Sequence, residues 1–162
     1  MAATFPPFPR LVFTILEPIS LVGGWYISTF ATQKFIHDQY PILPSTPTLT
    51  PSLLSTPNAQ MLAFQLGNLY LLCALLGVFI LNSTTDIKVA KAYILALAIA
   101  DVGHVAPTLW VMGRERSLDL AGWNAVAWGN VGVTAALFVV RVTWLAGGFG
   151  SVKVEKGKKK EL

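Results

Sequence analysis

The sequence predicts an all-α integral membrane protein, built as a four-helix bundle in lipid. Hydrophobic residues make up 54% of the 162 residues and charged residues only 12%, a composition too apolar for a water-soluble domain of this size. Four apolar runs reach the length of about 20 residues that a helix needs to cross a bilayer. In lipid every backbone polar group must be bonded within the protein, so packed helices are the architecture that fits these runs.

The four runs predict helices over about 11–30, 60–81, 89–112 and 122–146, in a single transmembrane domain covering 1–162. Residues 31–59 are predicted to form a loop. Its part 41–57 is rich in proline, serine and threonine, which favours a disordered connector over a lid across the mouth of the bundle. The short connection after the second helix predicts that the second and third helices are antiparallel neighbours.

The basic residues are distributed unevenly about the four runs. One side holds Arg10, Lys88, Lys91 and the lysines of a basic tail, 147–162. The other side holds Lys34, Arg114 and Arg116. By the positive-inside rule, both termini and the tail are therefore expected in the cytosol. Membrane topology accounts for the net charge of +4, so no nucleic-acid partner is expected.

The two ends of the chain bear on localisation, and their sequences favour a retained first helix and a basic tail. The run that begins at Leu11 lacks a small-residue cleavage site and is expected to remain as a helix. Lys159 and Lys160 resemble a dilysine retrieval signal, although a basic stop-transfer tail explains them equally well. We expect a multi-pass protein of the endoplasmic-reticulum membrane.

Ionisable residues inside the apolar runs are the strongest functional signal. Asp101 and His104 share one face of the third helix at i and i+3. Glu17 lies beside Pro18, which is expected to kink the first helix, and Arg141 lies in the fourth helix. A charge at the bilayer centre costs roughly 2.5 to 3.5 kcal/mol on insertion scales, so such residues usually face the bundle interior and mark function.

The rise of about 1.5 Å per residue arranges these side chains in two layers. Glu17 and Arg141 fall at a similar depth, roughly 10 Å from the cytosolic side, so they can meet. Their ion pair would either take part in the function of the protein or only neutralise two buried charges. Asp101 falls near the midplane. The layer nearer the lumen contains Gln65, Asn68, His104 and Asn130, whose amides can position a ligand or act as hydrogen-bonding glue between helices.

These residue types suit proton-initiated chemistry on a hydrophobic alkene. A carboxylic acid in an apolar cavity can keep its proton near neutral pH and then donate it, and a nearby imidazole can relay it. Asp101, Glu17 and His104 are the predicted catalytic residues. The predicted substrate-binding residues are Gln65, Asn68, Trp110, Trp123, Asn130 and Arg141. Tryptophans that line the cavity would stabilise a carbocation, although core packing and the membrane interface are their commoner places.

No metal or other cofactor is expected. Cys73 is the single cysteine and lies inside an apolar helix. Asp101 and His104, with His37 in the loop, match no known spacing of metal ligands.

The stretch ALAIADVGHVAPTLW, with an acid in an earlier helix and amide and aromatic residues in a later one, resembles the emopamil-binding-protein superfamily. That superfamily includes sterol delta8-delta7 isomerases and the sigma-2 receptor. The chain is also similar to small fungal integral membrane proteins, among them the membrane-bound meroterpenoid cyclases. The resemblance implies a helical bundle in the endoplasmic reticulum, with a cavity open to lipid. It also implies that Glu17, Asp101 and His104 serve to protonate a sterol or isoprenoid double bond.

The sequence therefore favours a membrane-embedded cyclase or isomerase acting on a terpenoid, meroterpenoid or sterol. The alternative is a non-catalytic lipid-binding or assembly protein in which the same residues hold a ligand or a partner helix. The isomerase-type bundle has five helices and the cyclases about seven. This chain predicts four, which leaves open a homodimer that completes the cavity. The expected partners are a small hydrophobic substrate and membrane lipid.

Overall fold

A computed structural model describes residues 5–40 and 56–150, which form helices and turns with no strand in those ranges. The helices are α1 (Pro7–Phe30), α2 (Thr32–Asp38), α3 (Pro57–Ser83), α4 (Ile87–Leu118) and α5 (Ala125–Leu145). Within the described ranges, the four helices other than α2 are long and apolar enough to cross a membrane. The predicted all-α membrane bundle is confirmed, and the chain is a multi-pass membrane protein.

The short helix α2 corrects the prediction that 31–59 is a loop throughout. It begins directly after Ala31, where the backbone leaves the helical conformation for one residue and turns the chain. Most of the Pro-rich segment, residues 41–55, and the end of the basic tail, residues 151–162, lie outside the described residues. The predictions made for those segments therefore stay predictions.

Two spans contain a wider, π-helical turn. In α1 this turn covers Val12–Leu16 and ends directly before Glu17 and Pro18. Regular α-helix resumes at Glu17, so Pro18 lies in a first turn, where a missing N–H is tolerated best. In α5 the wide turn covers Trp128–Val133. Turns of this kind are frequent at functional sites.

Helix α1 packs along α3, and α4 packs along α5. Small residues are buried along α3, namely Ala63, Gly67, Ala74 and Gly77, and Gly67 faces α1. A Cβ at Gly67 would lie 2.3 Å from Ser28 Oγ, so the two helices approach closely because this position has no side chain. The bundle therefore consists of two helix pairs.

An aromatic plug closes one end of the bundle, next to the turn between α3 and α4. Phe5 stacks on Trp144 with 4.8 Å between the ring centroids, and Phe13 meets Trp144 edge-on at 6.4 Å. Leu81 and Ile94 pack in the same cluster. At this end all four spans are held together by buried apolar contacts.

Helix α2 closes the opposite end as a cap. Its residue Phe35 is buried, and Asn124 Nδ2 donates a hydrogen bond of 2.9 Å to the Asp38 carbonyl. The guanidinium of Arg116 lies 4.3 Å from the centre of the Tyr40 ring. The helix pairs are therefore joined at both ends, and the space between them lies in the middle of the bundle.

Candidate functional site

Three charged side chains from three spans meet inside the bundle, just beyond the aromatic plug. Arg141 donates from Nη1 to Asp101 Oδ2 at 2.5 Å and from Nη2 to Glu17 Oε1. Arg141 is 1% exposed, Glu17 7% and Asp101 8%, so the cluster is shielded from the bundle surface. The predicted pairing of Glu17 with Arg141 is confirmed, and Asp101 joins it.

Local features place each member of this cluster. Glu17 follows the wide turn of α1, and the Phe13 ring, one turn earlier, lies 5.9 Å from the Arg141 guanidinium. Asp101 continues the buried stripe of α4 that contains Ile94 and Ala98. Arg141 Nε is buried, and no described atom accepts a hydrogen bond from it. The guanidinium is therefore held by two carboxylates and an aromatic face.

His104 belongs to a second network, nearer the cap. Its ring lies near the Asn130 side chain, and Asn130 Nδ2 donates to Gln39 Oε1 at 3.0 Å. The His104 carbonyl accepts a bond of 2.7 Å from Thr108 Oγ1. Asp101 and His104 therefore lie on the same helix but have different neighbours, Arg141 for Asp101 and Asn130 for His104. That the two act together stays a prediction.

Two cavities meet at these networks. Cavity A, about 370 Å³, lies between α1 and α5 and is lined by Gly24, Phe35, Tyr70, His104 and Asn130, among others. Cavity B, about 340 Å³, lies among all four spans and is lined by residues that include Glu17, Asp101, Arg141, Tyr70 and His104. Tyr70 and His104 line both. Each volume lies within the range of roughly 300 to 1,000 Å³ that is usual for small-molecule sites.

The walls of both cavities are mainly aliphatic, and neither cavity is fully enclosed. Leu69, Leu97 and Ala100 line cavity B where α3 and α4, which pack little against each other, leave a gap. Gly23 and Gly129 line cavity A, and a Cβ at either glycine would have no neighbour within 4 Å. Each opening therefore lies on the side of the bundle, where the acyl chains of a bilayer would be.

Several predicted binding residues lie away from these cavities. Gln65 and Asn68 are exposed on α3, and Trp110 is 87% exposed on α4. Trp123 donates from Nε1 to the Arg116 carbonyl at 2.8 Å and packs edge-on against Trp128. Of the predicted binding residues, Asn130 and Arg141 reach a cavity.

Other residues line the cavities without having been predicted. Tyr70 and Phe35 supply aromatic surface there, in place of the tryptophans. Gln39 extends the His104 network from just beyond α2, and its Nε2 atom is buried with no partner among the described residues. Nothing in their spacing marks these residues, because one Tyr in an apolar helix and one Gln in a loop are common.

Comparison with known proteins places the chain in a family. The family model for a domain of unknown function, DUF7704, matches residues 2–151, which is most of the sequence. The chain belongs to the DUF7704 family. Curated proteins and solved structures give no match to it.

The balance of charge among Glu17, Asp101 and Arg141 in this DUF7704 protein decides whether a carboxyl at the cavity holds a proton. Arginine keeps its positive charge in proteins, so one negative charge stays uncompensated when Glu17 and Asp101 are both ionised. The cluster is neutral when one carboxyl holds a proton. An uncompensated charge in an apolar bundle is costly, which favours the protonated form. In the described part of the chain, no three His, Cys, Asp or Glu side chains lie close enough to hold a metal ion.

Proposed function

We propose that this DUF7704 protein is a membrane-embedded isomerase or cyclase that transfers a proton to a hydrophobic terpenoid, meroterpenoid or sterol. The observation that carries the proposal is that one cavity, on the side of a membrane bundle, is lined by Glu17, Asp101 and His104 together. Buried acids at a lipid-accessible cavity are expected where an apolar substrate needs a proton and no strong nucleophile.

The proposed substrate enters from the bilayer through the side of the bundle and lies against aliphatic walls. A hydroxyl or carbonyl on the substrate would bond to the His104 and Asn130 network near the cap. Its double bond would then lie toward Glu17 and Asp101, with the Tyr70 ring beside it. A cationic intermediate in that position would face both an aromatic ring and a carboxylate.

In the proposed reaction, Asp101 or Glu17 gives its proton to one carbon of a double bond, which leaves a carbocation on the other carbon. Loss of a proton from a neighbouring carbon gives an isomer, whereas attack by a second double bond gives a ring. In both cases a proton is returned, so substrate and product have the same mass. His104 orients the acid or relays the proton, and Arg141 stabilises the carboxylate that is left after donation.

The resemblance of residues 96–110 to the emopamil-binding-protein superfamily supports this reaction class. The same resemblance, with the dilysine-like Lys159 and Lys160, supports an endoplasmic-reticulum membrane. The distribution of basic residues about the four spans supports an orientation with both termini in the cytosol.

The competing function is non-catalytic binding of a lipid or sterol, or a role in assembly. One observation favours it: both carboxylates already bond to Arg141, as in an ion cluster that only neutralises its own charges. In that case the cavity holds a ligand and the acids keep the bundle together.

The first experiment is mass spectrometry of lipid that co-purifies with the chain. Ala100 lines cavity B, so Ala100→Phe should obstruct it, whereas Ala96 is also exposed but lies outside the lining and gives the matched control Ala96→Phe. We expect one isoprenoid or sterol class enriched with the wild type and with Ala96→Phe, and lost with Ala100→Phe. Enrichment in none of the three would contradict a ligand cavity.

The second experiment returns that lipid to the protein in nanodiscs. The wild type should convert it to an isomer of equal mass, and Asp101→Asn should bind it without conversion. Arg141 would still be paired with Glu17 in that variant, so folding should be retained. Binding without any conversion by the wild type would support the non-catalytic function.

A further inference from the structure

The exposed side of α3 carries two amides inside a membrane span. We call the row of exposed residues on this side the amide stripe. It consists of Met61, Gln65, Asn68, Leu72, Leu75 and Phe79. Stripe residues are offset by about two residues along the sequence from the buried positions of α3. At 100° per residue, this offset is a rotation of roughly 200° about the helix axis. The stripe therefore points away from the bundle.

Gln65 and Asn68 lie between the start of α3 at Pro57 and its centre, on the side of the cap, and still within the depth of the acyl chains. Within residues 5–40 and 56–150, no hydrogen bond reaches either side chain. An amide that faces hydrocarbon without a partner is unfavourable, whereas amides that bond across two helices stabilise membrane assemblies. The position of both amides on one face indicates a helix that packs there.

The spacing of the stripe fits a helix-packing seam. Its members alternate at four and three residues, which is the repeat that keeps one face of a helix against a parallel partner. The stripe runs from Met61 to Phe79, so at about 1.5 Å per residue its ends are roughly 27 Å apart, close to the thickness of the hydrocarbon layer. Met61 and Phe79, at its two ends, are 60% and 61% exposed.

We infer that the amide stripe is the contact surface of a homodimer, in which α3 of one copy packs against α3 of a second copy. Both copies insert in the same orientation, so a two-fold axis along the membrane normal brings each stripe residue next to its own counterpart. An amide both donates and accepts, so Gln65 and Asn68 can each bond to the same residue of the second copy across such an axis.

The rest of the chain favours this pairing over contact with a different face. Ser20 is exposed and Thr14 and Thr143 are half-buried in the other spans, but each hydroxyl donates to a carbonyl of its own helix. In the described part of the chain, the stripe is thus the exposed surface of a span that offers unsatisfied amides. Such a surface is best completed by another copy of itself.

The test uses the full chain in membranes, with two differently tagged copies expressed together. We expect capture of one tag to recover the other. Replacing both amides in Gln65→Leu/Asn68→Leu should weaken association roughly eightfold, given the average strength of two interhelical hydrogen bonds. Val102→Leu is the control because Val102 lies at a similar depth and is 53% exposed on α4. The leucine variants only make an exposed face more apolar, so they should remain folded and monodisperse.

Cysteine cross-linking gives a second measurement, in a Cys73→Ser background that removes the native thiol. Asn68→Cys should form a disulfide-linked dimer on oxidation in membranes, and Val102→Cys should not. The inference would be overturned if only monomer were recovered, if both positions cross-linked equally, or if Asn68→Cys reacted instead with a different protein or within its own chain.

Discussion

Arg141 on α5 donates a hydrogen bond of 2.5 Å to Asp101 on α4, and this contact determines how the polar interior is divided. Because Asp101 bonds to Arg141, together with Glu17, the acids form one charged cluster near the aromatic plug. His104 is left to the amides near the cap. The two networks lie at one cavity.

Removing the guanidinium should destabilise the bundle more than any single change to an acid. Arg141→Met would leave two buried carboxyls without a cation, and breaking a buried ion pair costs about 3 to 5 kcal/mol. We expect a large loss of thermal stability, measured by fluorescence-detected size-exclusion chromatography after heating. Arg114→Met, at an exposed arginine, is the control. The triple variant Glu17→Gln/Asp101→Asn/Arg141→Met should recover much of the loss. A stable single Arg141→Met variant would show that the cluster does not hold the spans together.

The close approach of α1 and α3 should make Gly67 intolerant of a side chain. A Cβ there would lie 2.3 Å from Ser28 Oγ, whereas one at Gly23 would meet nothing within 4 Å. Gly67→Leu should therefore destabilise the protein by about 1 to 3 kcal/mol or more, and Gly23→Leu by much less. Thermal unfolding of the two variants side by side measures the difference. Equal melting temperatures would contradict the packing described for α1 and α3.

The cap helix α2 should respond to acid through Asp38. Burial alone would raise the pKa of Asp38, but hydrogen bonds from Lys34 and His37, with their charges, more than offset it and hold the pKa below its usual value of 3.8. A lowered pKa in the folded state means that the contribution to stability is present above about pH 4 and is lost as the pH falls through the folded-state pKa.

The measurement for the cap is hydrogen exchange of the α2 amides, corrected for intrinsic rates. At pH 6 the wild type should be protected more than Asp38→Asn, by up to roughly fivefold because the pair is near the surface. Near pH 2.5 the two proteins should exchange alike. A difference that persists unchanged at low pH would mean that Asp38 acts through something other than its charge.

The proposed orientation can be tested with a membrane-impermeant thiol reagent on sealed microsomes, whose outer face is cytosolic. Thr85 lies in the turn between α3 and α4, and Ala121 lies in the turn between α4 and α5; both are exposed. In a Cys73→Ser background, Thr85→Cys should be labelled in intact vesicles, and Ala121→Cys only after they are opened. The reverse pattern would place the termini in the lumen.

Much of the fold follows from hydropathy, because a span is defined by its length and apolarity. The four predicted helices match four observed spans, with ends that differ by a few residues. The rise per residue along each helix also predicts that Glu17 and Arg141 lie at the same depth, and their ion pair confirms this prediction. The helix α2 was missed because its seven residues, TQKFIHD, are too polar and too short to differ from a loop.

The direction in which a helix face points was harder to predict. Gln65 and Asn68 share a face, as their spacing predicts, but spacing does not say whether that face is turned inward or outward. Asp101 and His104 share a face too, yet Arg141 reaches one and Asn130 the other. Those partners depend on how α5 is rotated, which is set by packing against α4 rather than by any local pattern.

The most direct test of the account is deuterium incorporation. Protein in nanodiscs is incubated in D2O with an extract of isoprenoid and sterol lipids, and the recovered lipids are analysed by mass spectrometry. With the wild type we predict a lipid product that carries deuterium on carbon. The control Glu115→Gln, at an exposed acid, should give the same product. At least one of the variants Asp101→Asn and Glu17→Gln should give no deuterated product. Folded wild-type protein that binds lipid and adds no deuterium to it would contradict proton transfer.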